Sequence, residues 1–333
     1  MSTPQDTAPA GPAHEVDLLV IGAGPTGLYA TYYAGFRELR VALLDALPEV
    51  GGQIAALYPE KALYDVAGFP SVRGQELVDA LHAQARSADP LMLLGRTAVG
   101  LEEHADAVVI TTDTGETIRA GAVLITAGIG SFTPRELPVG SEYLDRGLRY
   151  FVPRLAELAD QDVLVVGGGD SALDWALGLE EIARSVTLVH RRPQFRAHER
   201  SVAQLHESSV EVLTPYEVAK VSGEDRIEEV VIEARDGESR TLTVQAVVAA
   251  LGFIADLGPI DDWGLEQDRR HILVDRTMRT NRQRVFAAGD LAHYEGKVKL
   301  ISIGFGEAAL AVNHITALVR PGSALTPGHS SDL

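Results

Sequence analysis

The chain has 333 residues, and its 47 acidic and 29 basic side chains give a formal charge of −18. The length suggests two domains, and 46% hydrophobic residues are enough to form a sizeable core. The acidic balance argues against a nucleic-acid or anionic-membrane binder, since both partners are polyanions. The absence of cysteine excludes disulfides, thiolate zinc sites, cysteine-ligated iron–sulfur clusters and cysteine nucleophiles.

The first residues predict a disordered tail over residues 1–14. This segment is rich in proline and alanine and has neither the basic nor the apolar region of a signal peptide. No apolar run in the chain approaches the roughly 20 residues of a bilayer span. We therefore expect a cytoplasmic protein that does not bind membranes.

A strand, a glycine turn, a helix and a second strand follow the tail. Residues 16–21 are almost all apolar, which predicts a buried parallel strand. The turn reads Gly22-Ala23-Gly24-Pro25-Thr26-Gly27, an apolar helical stretch follows, and the next strand, residues 40–44, ends at Asp45. One such glycine pattern is weak support for a dinucleotide site.

The same plan recurs in the second half of the chain. The apolar strand at residues 162–166 leads into Gly167-Gly168-Gly169-Asp170-Ser171-Ala172, and the strand after the helix ends at His190-Arg191-Arg192. The interval from Gly22 to Asp45 and that from Gly167 to His190 are both 23 residues. Two matched copies predict two dinucleotide sites, the alternative being tight turns in two ordinary βαβ units. The predicted binding residues are Gly22, Gly24, Thr26 and Gly27 in the first turn, and Gly167, Gly169, Asp170, Ser171 and Ala172 in the second.

Each copy continues into a hairpin with a glycine turn and then a further apolar strand, at residues 108–128 and 230–252. The second copy therefore lies inside the first. We predict an α/β fold of two nested, doubly wound, Rossmann-like (three-layer ββα) domains, with residues 15–130 and 255–333 in one and residues 131–254 in the other. Residues 128–134 and 252–259 contain Gly and Pro and are predicted to be paired hinges.

The two strand ends predict different ligands. Asp45 can accept hydrogen bonds from the ribose hydroxyls and repels a 2′-phosphate, so the first site favours FAD or NAD(H). Arg191 and Arg192 can clamp a 2′-phosphate, so the second site, with His190 and Arg196, favours NADP(H). The alternative for this basic cluster is a solvated strand end.

Asp290 supports the choice of FAD for the first site. It follows an apolar strand through Gly289, where a carboxylate can hold a flavin ribitol hydroxyl. A helix N-terminus near Gly306 would face the flavin pyrimidine edge, where a helix dipole favours negative charge. The alternative is that Asp290 is a helix-capping or turn residue.

The chain resembles the ferredoxin–NADP+ reductases built on the thioredoxin-reductase scaffold. The resemblance extends from about residue 15 to residue 331. The motifs that carry the resemblance are Gly51-Gly52-Gln53, Ala56-Leu57-Tyr58-Pro59-Glu60-Lys61, Tyr64-Asp65-Val66-Ala67-Gly68-Phe69-Pro70, residues 167–176, residues 190–199, Ala287-Ala288-Gly289-Asp290 and Tyr294-Glu295-Gly296-Lys297-Val298.

The resemblance implies a homodimer in which each subunit has an FAD domain and an NADPH domain, with ferredoxin or flavodoxin as the electron partner. It implies that Asp45, Gln53, Ala98, Phe132 and Asp290 contact FAD and that Tyr58 stacks on the isoalloxazine. It places His329 on the other face of the flavin, from the partner subunit, with Ser330 and Ser331 beside it.

Three functions compete. The first is the reductase. The second is another NADPH-dependent flavoenzyme of this fold, an oxidase or monooxygenase, and the third is a non-catalytic NADPH-sensing protein. A disulfide reductase is excluded because the chain has no Cys-x-x-Cys pair. The charge of −18 opposes docking of acidic ferredoxins unless a local basic patch, for which Lys297 and Lys299 are candidates, overrides it.

Overall fold

The computed structural model describes residues 13–326. Within this range the chain divides into two compact units. The first contains residues 13–55, 62–131 and 255–326, and the second contains Ala56–Lys61 and Phe132–Ile254. The short segment Ala56–Lys61 was expected in the first unit. The first strand begins at His14, inside the predicted tail, and residues 1–12 lie outside the described range.

The elements that begin or end in the first unit, in chain order, are β1 His14–Ile21, α1 Pro25–Phe36, β2 Val41–Asp45, α2 Gly52–Leu57, β3 Ala62–Leu63, β4 Val72–Arg73, α3 Gly74–Arg86, β5 Leu91–Leu94, β6 Ala98–Glu103, β7 Val108–Thr112, β8 Thr117–Ile125 and β9 Ser131–Pro134. After the inserted second unit, the chain re-enters the first.

The main sheet of the first unit has the order β5-β2-β1-β8-β7-β6. The strands β5, β2, β1 and β8 are parallel, and β8 then turns into an antiparallel meander with β7 and β6. Leu18, Leu19 and Val20 of β1 are fully buried, as expected of a central parallel strand covered on both faces.

The second unit repeats this design. Its elements are β10 Leu148–Arg149, β11 Asp162–Val166, α4 Asp170–Leu179, β12 Ser185–Val189, α5 Glu199–Glu207, β13 Glu211–Leu213, β14 Tyr216–Ser222, β15 Glu229–Ala234, β16 Ser239–Thr243, β17 Ala246–Ala249 and β18 Phe253–Asp256. A parallel sheet of order β10-β17-β11-β12-β13 is accompanied by the antiparallel meander β14-β15-β16. The predicted internal repeat and nested α/β fold are thus confirmed.

The rest of the first unit comprises β19 Gln267–Asp268, β20 His271–Leu273, β21 Val285–Ala287, β22 Ala292–His293 and α6 Ile301–Val319. Strand β21 pairs in parallel with β8, which completes the main sheet. Residues of the two connecting segments pair with each other, since the Arg135 amide donates to the Gly252 carbonyl at 2.9 Å. Strands β9 and β18 form a separate two-stranded sheet.

Helix α6 corrects the expectation that no apolar run approaches a membrane span. By length and composition, its 19 residues would suffice to cross a bilayer. This is weak support for a membrane segment, because the core helices of soluble proteins pass the same test. Here Ala308, Ala311, Val312 and Ile315 are fully buried, and the helix packs on α1 in the first unit.

Candidate functional site

The first glycine turn has three glycines in three different environments. Gly22 has φ = 108°, and a Cβ there would lie 2.6 Å from the Thr126 carbonyl oxygen. A Cβ at Gly27 would lie 1.8 Å from the Gly22 carbonyl oxygen, so helix and strand meet at a distance that only glycine permits. At Gly24 nothing lies within 4 Å, so this side of the turn is open. Binding of a dinucleotide pyrophosphate requires three features of such a turn. Gly22 provides the tight turn, Gly24 the open approach and Gly27 the close contact between helix and strand.

Helix α1 begins directly at this opening. Gly24 is its N-cap residue and provides no side-chain hydrogen bond to the first amides of the helix. Those amides therefore point toward the open side of the turn, where they can bind an anion. The helix starts at Pro25, and Thr26 lies in its first turn.

Asp45 is held firmly at the end of β2. Its carboxylate accepts hydrogen bonds from the Ala23 amide at 2.5 Å and from the Leu47 amide at 2.8 Å. Burial raises the pKa of Asp45, and the two amide hydrogen bonds partly oppose that shift. The carboxylate is thereby oriented beside the glycine turn, at the position predicted to hold the adenosine ribose.

Gly289 and Asp290 reach the same turn from the last part of the chain. A Cβ at Gly289 would lie 3.0 Å from the Thr26 hydroxyl oxygen, and one at Gly304 would lie 2.5 Å from it. The first unit therefore brings Thr26, Asp45 and Asp290 to one edge of its sheet. Gln53 belongs to this region too, because its Nε2 lies 2.9 Å from where a Cβ of Gly128 would be.

A buried charged cluster supports the segment that carries Asp290. The Glu307 carboxylate accepts hydrogen bonds from the Gly289 amide at 2.8 Å and from the Tyr294 hydroxyl at 2.7 Å, and it forms an ion pair with Lys297. The Lys297 and Glu307 side chains are each 4% exposed. Moving the segment away from α6 would separate Lys297 from Glu307 and leave a buried charge without its partner, which is costly. The cluster therefore fixes the segment on α6.

Helix α6 begins earlier than the sequence suggested. Its first residue is Ile301, with Leu300 as N-cap, so Gly306 lies in the second turn and not at the N-terminus. The predicted helix dipole therefore acts at residues 300–303. Gly304 is needed in this helix for its close contact with Thr26 of α1.

The second glycine turn is closed on one side by His190. A Cβ at Gly168 would lie 2.4–2.5 Å from three atoms of the His190 ring, and a Cβ at Gly169 would meet nothing within 4 Å. The loop after β12 is fastened to the turn by backbone hydrogen bonds: the Arg196 amide donates to the Gly168 carbonyl at 2.7 Å, and the His198 amide donates to Asp170 at 2.8 Å.

The charges around this second turn are strongly asymmetric. Arg191, Arg192 and Arg196 are exposed on the loop that is tied to Gly168. The His190 Nε2 atom is buried and has no hydrogen-bond partner among the described residues. Burial lowers the pKa of His190, a hydrogen bond to the Gln194 backbone opposes that shift, and the charges of the neighbouring arginines add to it, so the neutral ring is favoured beside the turn. Positive charge is carried by the three arginines, as recognition of a phosphate requires.

Other predicted site residues have more varied positions. Ala98 is buried in the core of the first unit, Ser171 is exposed at the start of α4, and Ala172 is fully buried against Gly167. Phe132 lies in β9, and its side chain is outside the described part of the structure. His329, Ser330 and Ser331 lie outside the described residues, so their roles stay predictions.

Tyr58 lies in Ala56–Lys61, the segment that groups with the second unit. The Lys61 ammonium is 5.4 Å from the centre of the Tyr58 ring and 2.5 Å from the Asp174 carboxylate on α4. The Leu155 amide donates to Glu60 at 2.9 Å. Burial raises the pKa of Asp174, and the charge of Lys61 opposes that shift.

Sequence reasoning missed Thr126 and Glu307. The Thr126 hydroxyl donates to the Gly22 carbonyl at 2.8 Å and to the Ile21 carbonyl at 3.1 Å, which fixes the start of the first glycine turn. Its position at the end of an apolar strand was the available signal. Glu307 was visible only as one acidic residue in an apolar helix.

The open side of the first turn leads to a testable difference between two glycines. Replacing Gly24 with Val should leave the stability of the apoprotein unchanged, because its φ of −72° suits any residue and its Cβ has space. The added side chain should nevertheless block a dinucleotide and abolish flavin binding. Replacing Gly27 with Val should lower the melting temperature of the apoprotein itself. Full flavin content in the Gly24→Val protein would refute the site.

Tyr294 gives a pH prediction. Burial, the hydrogen bond to Glu307 and the Glu307 charge raise its pKa from 10.0 to about 12. Because the folded-state pKa of Tyr294 lies above its unfolded value, the contribution of the neutral phenol to the stability of the folded protein is complete below pH 10. That contribution is lost as the pH rises toward 12. The free energy of unfolding, measured with urea on the apoprotein, should fall less over this interval in Tyr294→Phe than in the parent. If the free energy of unfolding falls equally in both proteins, ionisation of Tyr294 is not the cause of the pH dependence.

Comparison with known proteins agrees with this arrangement. The profile of the pyridine nucleotide-disulphide oxidoreductase family matches residues 16–308. The chain is 58% identical over 328 residues to the ferredoxin–NADP reductase of Nocardioides sp. (strain ATCC BAA-499 / JS614), which covers 97% of this chain and 99% of the relative. It is 59% identical over 315 residues to the ferredoxin–NADP reductase of Frankia alni, with coverage of 94% and 98%.

Solved structures of thioredoxin reductases share the fold. The enzyme of T. acidophilum matches with a TM-score of 0.81 at 25% identity, over 91% of this chain and 98% of that one. The enzyme of Lactococcus lactis matches with a TM-score of 0.79 at 26% identity, over 91% and 99%. The chain belongs to the pyridine nucleotide-disulphide oxidoreductases and, within them, to the ferredoxin–NADP reductases built on the thioredoxin-reductase scaffold.

Proposed function

We propose that this protein transfers electrons between NADPH and ferredoxin or flavodoxin through FAD. The observation that carries the proposal is the pair of glycine turns with opposite charge at the adjoining strand ends, Asp45 in one unit and Arg191-Arg192 in the other. The relatives named ferredoxin–NADP reductase match almost the whole chain. The absence of cysteine leaves no dithiol to receive electrons, unlike in a disulfide reductase.

The first unit holds FAD in this proposal. The amides at the start of α1 bind the pyrophosphate through the opening at Gly24, while Asp45 accepts the adenosine ribose hydroxyls. Asp290 accepts a ribitol hydroxyl, and the Glu307 cluster keeps its segment in place. The close contacts of Gly22 and Gly27 leave a rigid cradle of the required shape, so the residues present fit this cofactor.

The second unit holds NADPH. The open Gly169 side of the turn admits the pyrophosphate, and Arg191, Arg192 and Arg196 bind the 2′-phosphate. The hydrogen bonds from the Arg196 and His198 amides to the turn connect these two parts of the site. The loop is thereby positioned before the ligand arrives, which reduces the ordering cost of binding.

Bound FAD supplies a centre that accepts two electrons as a hydride and releases them one at a time. Each NADPH oxidised to NADP+ with release of one proton therefore reduces two ferredoxins by one electron each. The protein contributes the relative position of the reacting groups. Tyr58 stacks on the flavin in this proposal, and that role stays a prediction.

Rapid-mixing measurements test the function. The purified, FAD-loaded protein should lose its yellow colour with NADPH much faster than with NADH, and it should then reduce a purified ferredoxin. A protein that takes up no FAD would refute the proposal. Rapid oxygen consumption with no ferredoxin reduction would instead identify an oxidase of the same fold.

The arginine loop leads to a separate prediction about cofactor choice. The double substitution Arg191→Ala and Arg192→Ala should lower kcat/KM for NADPH by about 100-fold or more, since charge-assisted hydrogen bonds contribute at least about 1.5 kcal/mol each. The value for NADH should change less than about twofold, because NADH lacks the 2′-phosphate. Steady-state kinetics with both nucleotides measure the effect. A similar loss for both would mean that the arginines act structurally.

A homodimer is part of the proposal and is supported by an apolar face on α1 and α6. The rings of Tyr29, Tyr33 and Phe36 follow one another along α1, and Phe305 of α6 lies 5.1 Å from Tyr29. Phe36 is 49% exposed and Leu310 is 38% exposed. Exposed apolar surface of this kind is typical of protein interfaces.

We expect sedimentation analysis to show that the parent protein is a dimer. The double variant Phe36→Glu with Leu310→Glu should sediment as a monomer, because two charges would then lie in the apolar face. A monomeric parent protein would refute the proposed homodimer.

A further inference from the structure

The turn between β19 and β20 contains two consecutive arginines in the left-handed backbone region. Asp268 pairs with His271, so the hairpin is closed by only two residues, Arg269 with φ = 48° and Arg270 with φ = 67°. Turns with two positive φ values strongly favour Asn-Gly, since Cβ crowds the backbone carbonyl there and only Gly, and to a lesser degree Asn, adopts this region readily. Such strain is often retained where the side chains have a function.

These arginines form a small basic surface together with Lys299. Lys299 donates to Nε2 of His271 at 2.7 Å, and Nδ1 of His271 lies 3.0 Å from the Arg269 carbonyl oxygen, to which it donates. The two hydrogen bonds hold Lys299 beside the turn. We define the basic surface as Arg269, Arg270 and Lys299, all of which are exposed.

Lys297 does not belong to this surface. Its ammonium is buried in the ion pair with Glu307, so only one of the two lysines suggested by the sequence is available to a partner. Asp268, whose carboxylate lies 3.7 Å from Nε2 of His293, is exposed in the same region, as are Glu266 and Glu295. Three cations thus lie beside three carboxylates, and the positive charge is confined to the turn and Lys299 in a chain with a charge of −18.

The basic surface lies close to the proposed flavin site within the first unit. Strand β20 pairs in parallel with β22, and the Ile272 amide donates to the Leu291 carbonyl at 2.8 Å. Leu291 directly follows Asp290, and Ile272 is two residues from Arg270. A carrier held at the turn would thus stand near the segment that holds the flavin ribitol, as electron transfer over a short distance requires.

The surface also has an apolar component. Val298 is 54% exposed and Leu300 is 38% exposed, on either side of Lys299 in the chain. Interfaces of electron-transfer partners are small and weak, and charge complementarity sets their rate of encounter more than their affinity. Three cations with two neighbouring apolar side chains are suited to an acidic protein that must bind briefly and leave.

We propose that the basic surface is the docking site for the acidic ferredoxin. The inference rests on the proposed function, because it locates the partner of that reaction on this chain. Arg269 and Arg270 are exposed at the turn, and Lys299 extends the positive charge along the loop before α6.

A set of turn variants tests this proposal without a risk to folding. Arg269→Asn with Arg270→Gly removes two charges and supplies the residues that the turn prefers, so the melting temperature should stay the same or rise. At low ionic strength, kcat/KM for a purified acidic ferredoxin should fall roughly tenfold, and this loss should shrink as salt is added. Arg269→Lys with Arg270→Lys keeps the charges and should retain most of the rate.

A matched control changes the same net charge elsewhere. Arg226→Asn with Arg235→Asn removes two exposed arginines from the second unit and should alter the ferredoxin rate less than about twofold. Flavin reduction by NADPH, and electron transfer to an uncharged quinone, should be the same in all variants.

The outcomes separate the two proposals. If the Asn-Gly variant keeps both the parental ferredoxin rate and its salt dependence, the docking site is wrong while the reductase function stands. If the parent protein is bleached by NADPH and passes electrons to the quinone but not to ferredoxin, the proposed function fails at the carrier step, independently of the turn.

Discussion

The close approach of backbone to backbone at the βα turns is the constraint on which the rest of the molecule depends. In the first unit, helix α1 can leave strand β1 in the observed direction only because residue 27 has no Cβ to strike the Gly22 carbonyl. The same approach directs the first amides of the helix toward an open space, and Thr126 fixes the carbonyls that begin the turn. The geometry that packs the fold therefore also forms the anion site.

Charge, rather than backbone, distinguishes the two halves of the repeat. Both units place a strand end beside a glycine turn, but one presents a half-buried carboxylate fixed by two amides and the other presents exposed guanidinium groups on a loop tied to the turn. His190 adds to the second site as a neutral ring that fills the space over Gly168. One architecture can in this way select two different nucleotides.

Much of the fold was accessible from local patterns, and what was missed depends on long-range contacts. The apolar strands, the glycine spacing and the strand-end residues Asp45 and Arg191 follow from short windows of sequence. The start of α6 could not be predicted in this way, because Gly304 and Gly306 resemble a helix boundary. Gly304 is instead required inside the helix by its close contact with Thr26, which is far away in the sequence. The segment Ala56–Lys61 groups with the second unit through Lys61 and Asp174, which are more than 100 residues apart. The β19–β20 turn could not be predicted because it contains neither Asn nor Gly, the residues that usually indicate such a turn.

The pairing of the two connecting segments has a consequence for how such a chain can arise and be rebuilt. Residues 135 and 252 are joined by a hydrogen bond, so the long insertion departs from and rejoins its host at one point. An insertion whose ends are adjacent can replace a surface loop without separating the strands on either side. The nested order agrees with an ancestral duplication in which one copy was spliced into the other, and it marks residues 132–254 as a cassette that could be exchanged for that of another nucleotide-dependent enzyme.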